Sequence, residues 1–172
     1  WLAWDRIAWT EAPADDAVRV VERLQPTRAA LRYRGFPKVE RVAPNAPHRF
    51  RYDRLLARPP WQPFPGRYTR YGEVTELLSK IDDRMVIMGS GDEVQLEFDA
   101  RALPPVPAGW RRDFLLKFDG WAKDRDANTA YSQTVEPLPF PGMSQYPYSE
   151  GDQFPDSELH RAYRERYNQR PA

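Results

Sequence analysis

The sequence contains no cysteine, which excludes disulfides, thiolate metal sites and a cysteine nucleophile and leaves the redox compartment open. Histidine is almost as scarce, with only His48 and His160 present. A three-histidine zinc site is therefore impossible, and the H-E-x-x-H pattern is absent. A serine–histidine–acid triad would have to recruit one of these two, and no G-x-S-x-G elbow accompanies any serine. No apolar run approaches the ~20 residues that a membrane-crossing helix requires. Charge of one sign is not in excess either, since 26 basic residues stand against 25 acidic ones. Nucleic-acid binding calls for a concentrated basic excess, so the balance argues against it, and the interleaved arginines and acids read as a solvated surface.

What is abundant is proline, at 18 residues, and aromatics, at 13% of the 172 positions. Proline at that density interrupts long helices and central strands, so short strands joined by Pro-rich loops are expected. The length suits one domain, large enough to bury roughly 70% of its unfolded surface. The chain opens on Trp1-Leu2-Ala3-Trp4 rather than on Met. That opening reads as the inside of a structured element, so a start further upstream is expected, with any signal peptide there.

Leu2, Trp4 and Ile7 suggest an opening strand, followed by a loop from Glu11 to Asp16. Val18 to Leu24 fits both helix and strand, and its β-branched residues favour strand. Ala29 to Phe36 alternates, Leu31 and Tyr33 against Arg32 and Arg34, with Gln25-Pro26-Thr27 as the preceding turn. Residues 37–67 show no period and seven prolines, punctuated by Phe50, Tyr52, Trp61 and Phe64, and read as a long loop packed down by its own rings. Val74, Leu77 and Leu78 predict a helix over Thr69–Lys80. Arg84–Met88 and Glu93–Phe98 read as a hairpin around Gly89-Ser90-Gly91-Asp92, with Val94, Leu96 and Phe98 inward. Leu103–Gly109 is a Pro-rich connection, Arg112–Trp121 a strand with Phe114, Leu116 and Phe118 on one face, and residues 124–156 show no element. Ser157–Asn168 is a short polar helix with Leu159, Tyr163 and Tyr167 one turn apart. The fold class expected is mainly β: an antiparallel, jelly-roll-like β-sandwich with one short internal helix and a short C-terminal helix. Residues 1–122 would form the sandwich, truncated at its N-terminal end, and 123–172 a Pro-rich extended segment and helix packed on it.

Several stretches carry a family resemblance. They are Leu31-Arg32-Tyr33-Arg34-Gly35-Phe36, Tyr68-Thr69-Arg70-Tyr71-Gly72-Glu73-Val74, Asp82-Asp83-Arg84-Met85-Val86-Ile87-Met88-Gly89 and Leu103-Pro104-Pro105-Val106-Pro107-Ala108-Gly109-Trp110. Gly120-Trp121-Ala122-Lys123-Asp124, Thr134-Val135-Glu136-Pro137-Leu138-Pro139-Phe140 and Met143-Ser144-Gln145-Tyr146-Pro147-Tyr148 follow in order. Together they resemble the C-terminal region of bacterial proteins with FG-GAP β-propeller repeats and an ASPIC/UnbV domain, the cartilage-acidic-protein-like group. The resemblance implies an exported or surface-displayed parent, extracellular or periplasmic, with propeller and ASPIC/UnbV parts upstream as partners of this region. It implies no reaction, and the calcium loops of the propeller repeats map onto no residue here.

Four constellations are candidates for chemistry. Asp124, Asp126 and Asn128 place oxygen donors at alternate positions, as calcium loops do. Thr129 stands where such a loop has glycine and Val135 where it has its last carboxylate, so an Asx-rich turn is the competing reading. Acids such as Glu97, Asp119 and Glu136 could form the pair that glycoside hydrolysis needs, although 25 acids supply pairs by chance. Gly89-Ser90-Gly91 lacks the lysine and helix of a phosphate loop and reads as a turn. Finally, Trp110, Trp121, Tyr146 and Tyr148 lie near loops, where rings can stack on sugars or grip proline-rich peptides, or else pin the loops and cover the core. The functional expectation is a non-catalytic accessory domain that supports a neighbouring propeller or binds carbohydrate or protein, with a carbohydrate-active enzyme domain as the alternative. Neither calls for a cofactor, calcium aside.

Overall fold

A computed structural model of the chain describes residues 22–127, 130–149 and 151–172. The opening strand, the loop at 11–16 and most of the segment 18–24 lie outside the described residues. Among the described residues the protein is mainly β, with several antiparallel sheets and two helices.

The alternation around Leu31 forms strand β1, Pro26–Tyr33, which runs antiparallel between β5 (Gly72–Glu73) and β6 (Asp92–Phe98). Pro26 thus starts the strand rather than turning before it. Proline is tolerated there because the first residue of a strand need not donate to the ladder. Ala29 and Leu31 point into the core, while Arg28 and Arg32 point out and meet their register partners Glu97 and Glu93 at 2.9 and 2.6 Å. Cross-strand ion pairs of this kind contribute about 0.2–1 kcal/mol each and fix register as well.

The hairpin expected at Arg84–Phe98 is corrected. Residues 84–89 form no ladder with β6, whose strand partner is β1. The backbone of 85–89 is satisfied elsewhere: Ile87 N–H donates to Thr69 Oγ1 (2.7 Å), Ile87 O accepts from Thr69 N–H (3.1 Å), and Met85 O accepts from Tyr163 Oη (2.7 Å). The turn itself stands, closed by Asp92 N–H to Gly89 O at 3.1 Å.

The long helix expected at 69–80 shrinks to α1, Thr75–Leu78. Its first half is extended, because Thr69 and Arg70 bond across to Ile87 and Tyr167, and Gly72–Glu73 joins β1. Val74 and Leu77 are nonetheless buried, so the apolar pattern located the core correctly.

Residues 37–67 also depart from expectation. They contain β2 (Pro37–Arg41) and β3 (His48–Leu55), a two-stranded hairpin in which Val39 faces Phe50 and Glu40 faces Arg49. Its prolines fall at the start of β2 and in the turn, where they disrupt no ladder bond. Conversely, the strand expected at Arg112–Trp121 has no ladder partner among the described residues. Leu115 and Phe118 are 97% and 78% exposed. Alternation gives a segment the capacity to be half-buried; only a neighbour's N–H and C=O groups make it a strand.

The C-terminal segment closes the molecule. Ser157 caps α2 (Glu158–Tyr167), accepting from His160 N–H, and Arg164 and Arg166 sit in the last turn, favourable to the helix dipole. Tyr163 and Tyr167 enter the main core beside Ala29, Leu31, Val74 and Leu77. Beyond the helix, β7 (Arg170–Pro171) pairs with β4 (Arg67–Tyr68). A second core gathers Tyr68, Val135 and Leu138, with Phe64, Ile87 and Phe154 against it.

A latch joins these parts. The Asp92 carboxylate, 1% exposed, accepts from Arg170 Nη2 (2.5 Å), Tyr71 Oη (2.8 Å) and Gly89 N–H (2.7 Å). The Arg170 guanidinium lies over the Tyr71 ring, 4.2 Å from its centroid. Burial and the Asp92 carboxylate push Tyr71 up to about 12.

Candidate functional site: an aromatic surface cluster

The second core positions a cluster of rings at the surface. Residues 134–140 are Thr-Val-Glu-Pro-Leu-Pro-Phe, and their prolines leave carbonyls that no helix or ladder uses. Side chains take them up. Lys123 Nζ donates to the carbonyls of Thr134 (3.1 Å), Val135 (2.7 Å) and Pro137 (2.9 Å). Tyr146 Oη donates to Pro137 O at 2.9 Å, and Tyr148 Oη to Leu138 O. Val135, Leu138 and Phe140 are buried beneath.

Held in this way, the rings meet in a chain. Trp121 and Tyr146 stand 5.8 Å apart at 46°, and Tyr146 touches Tyr131 (6.3 Å, 71°) and Tyr148 (5.9 Å, 81°) edge-on. Tyr148 continues to Phe140, and Phe140 to Phe154. Offset and edge-to-face pairs at these separations are worth about 0.5–1.5 kcal/mol each beyond their burial. The inner members are half-buried or buried, whereas Trp121 and Tyr131 are 61% and 52% exposed. Burial raises Tyr146 and pushes Tyr148 up to about 12, each with a neighbouring tyrosine adding to the effect. Burial also lowers Lys123, opposed by the charge of Glu136. Its ammonium lies 5.4 Å from the Tyr146 ring centroid.

Three of the four rings singled out in the sequence are thus brought together: Trp121, Tyr146 and Tyr148. At Trp110 the backbone forms a turn, its amide N–H donating to Pro107 O at 3.0 Å. Tyr131 and Lys123 belong to the cluster and were not picked out for it. They sit in irregular chain where no period predicts which side chains converge.

The oxygen-rich loop is tied up as a turn. Asp126 N–H donates to Asp124 Oδ1 at 3.1 Å, an Asx bond. Gln133 Nε2 donates to Arg125 O at 2.9 Å, and Ser132 Oγ to Asp126 O. Asn128 lies outside the described residues, and among the described ones no three His, Asp or Glu are gathered as a metal would need.

Two of the three carboxylates named for a hydrolytic pair have partners of their own. Glu97 pairs with Arg28, and Glu136 Oε1 accepts from Arg67 N–H at 3.2 Å. The His160 side chain is largely covered, between Ser157 Oγ (2.7 Å from Nδ1) and Asp83 (3.5 Å from Nε2). The imidazole nitrogens are reversed relative to a catalytic triad, with serine on Nδ1 and the acid on Nε2, and the Ser157 hydroxyl is the helix cap. No family model matches this chain, and neither a curated protein nor a solved structure does.

Proposed function

We propose that the chain is a non-catalytic interaction domain whose binding face is the Trp121–Tyr131–Tyr146 surface. The observation that carries this reading is the contrast within one cluster. Its inner rings and Lys123 are fixed by hydrogen bonds to the backbone, so the two exposed rings are presented on a rigid support. Aromatic side chains held in this way lose little conformational freedom on binding, which is why they dominate recognition surfaces.

The electrostatics favour binding over hydrolysis. Among the described residues, the carboxyls whose titration is displaced all move downward, held by arginine or by hydroxyl and backbone N–H groups, as at Glu93, Asp152 and Asp156. A general acid needs the opposite displacement, a carboxyl kept protonated by burial or by a like charge.

In this reading the domain belongs to an exported multidomain protein of the FG-GAP and ASPIC/UnbV type. It presents its aromatic face beside a propeller, and the sheets described here are completed into a sandwich by the parent's other segments. The test is to screen the chain and its Trp121→Ala/Tyr131→Ala variant on combined glycan and peptide arrays. Ligands captured by the first and lost by the second support the reading. Identical capture by both, or none at all, overturns it.

A further inference from the structure

We propose that the outer edge of strand β3 receives an acidic, extended segment of another protein as an added strand. This surface is separate from the aromatic face above, and its charge sets it apart. Residues 37–58 hold six basic residues, Lys38, Arg41, Arg49, Arg51, Arg54 and Arg58, against Glu40 and Asp53. That is a local charge of +4 in a chain whose total is +1, so the remainder carries −3. The balance of arginines and acids that holds over the whole sequence breaks down here.

The ladder sorts these charges by face. Directly opposed residues share a side of the hairpin, so Lys38, Glu40, Arg49 and Arg51 lie on one face and Val39, Arg41, His48 and Phe50 on the other. Arg51 is already matched, by Asp53 at 2.7 Å and Glu40 at 3.3 Å. Among the described residues no carboxylate pairs with Lys38 or Arg49, although Arg49 stands opposite Glu40. Uncompensated cations thus remain on one face, and Val39 and Phe50 are exposed on the other.

The backbone beside these side chains is open as well. The hairpin is a sheet of two strands, and outside its own ladder residues 38–41 and 48–54 make no backbone bond to another part of the described fold. In an antiparallel pair, alternate residues of a strand point their N–H and C=O groups away from the partner strand. β3 therefore carries an open edge without proline from His48 to Leu55, whereas β2 begins on Pro37, which has no N–H to give. A two-stranded ribbon is marginal alone and gains from a third strand.

Charge decides what that strand is. A second copy would set the same excess of arginine against itself, and like charges across strands destabilise. A nucleic acid or an acidic glycan would match the cations but leave the strand edge unsatisfied. A peptide with acids at alternate positions and apolar residues between them satisfies the edge, meets Arg49 on one face and covers Phe50 on the other.

The experiment measures binding of a labelled dodecapeptide alternating glutamate and valine to the whole chain by fluorescence anisotropy. The comparison probes are a version with proline in place of every second valine, a lysine–valine peptide and an oligothymidylate. Saturable binding of the glutamate–valine peptide is expected, weakened about ten-fold or more by Arg49→Gln. Arg49 has no ion pair to lose, so this variant is expected to keep its melting temperature. Arg101→Gln, which removes the same charge from an exposed ion pair outside the hairpin, is expected to leave binding unchanged. Amide hydrogen exchange is expected to slow across residues 48–55 when the peptide is bound. Absence of binding, binding that Arg49→Gln leaves unchanged, equal binding of any comparison probe, or exchange at 48–55 that does not slow overturns the proposal.

Discussion

Replacing Asp92 by alanine tests the latch that ties the C-terminal strand to the sheet. The substitution removes the carboxylate that receives Arg170, Tyr71 and Gly89 N–H, and leaves the guanidinium partly buried without its counter-charge. Breaking one partner of a buried ion pair costs about 3–5 kcal/mol, and the partial exposure of Arg170 places this case near the lower figure. For a chain of this length about 1 kcal/mol moves the melting temperature by roughly 2–4 °C, so a fall of about 6–12 °C is expected. Circular dichroism melts of Asp92→Ala, Arg170→Met and the double variant give the full cycle. Because both groups belong to one contact, the double variant is expected to lose less than the sum of the singles. A melting point within about 2 °C of the parent for Asp92→Ala, or strict additivity, would refute the latch.

Three further predictions follow from other contacts. Gly66→Ala places a Cβ 2.5 Å from Val135 Cβ and Glu136 Oε2 at a backbone φ of +144°, so a loss of at least about 1–3 kcal/mol is expected in urea titrations; an unchanged midpoint contradicts it. Tyr71 and Tyr148 both titrate near 12 in the folded chain, above the ordinary 10 for tyrosine. Their contribution is therefore intact below pH 10 and is lost as pH rises from 10 through 12, so melts across that range should fall, and Tyr71→Phe should flatten the fall. Because the Asp124–Asp126 loop bonds to itself, calcium at millimolar concentration is expected to leave the melting temperature where chelator leaves it; a calcium-dependent rise of several degrees would show an ion site there.

How much of this was legible in the sequence depended on the range of the interaction. The C-terminal helix was legible from Leu159, Tyr163 and Tyr167 one turn apart, although only the two tyrosines are buried and Leu159 is 56% exposed. The alternation of β1 and β6 was equally local. Their pairing was not: Arg32 and Glu93 are 61 positions apart, and the nearer segment 84–88 offered an equally apolar partner. What decided against it was Thr69, whose backbone and hydroxyl claim Ile87. In residues 37–67 the prolines hid a hairpin, since a proline count does not reveal that Pro37, Pro44 and Pro47 fall outside its ladder interior. At the site, Trp121, Tyr146 and Tyr148 were visible as aromatics near loops. Tyr131 and Lys123 join them only because the carbonyls of a proline-rich run needed donors.

The central claim, that the exposed rings of this cluster are the binding face, is tested most directly by isothermal titration of one array-identified ligand against the parent chain and Trp121→Ala. The account predicts a dissociation constant raised at least about ten-fold, about 1.4 kcal/mol, with the melting temperature unchanged within about 2 °C. Equal dissociation constants for the two proteins would contradict it.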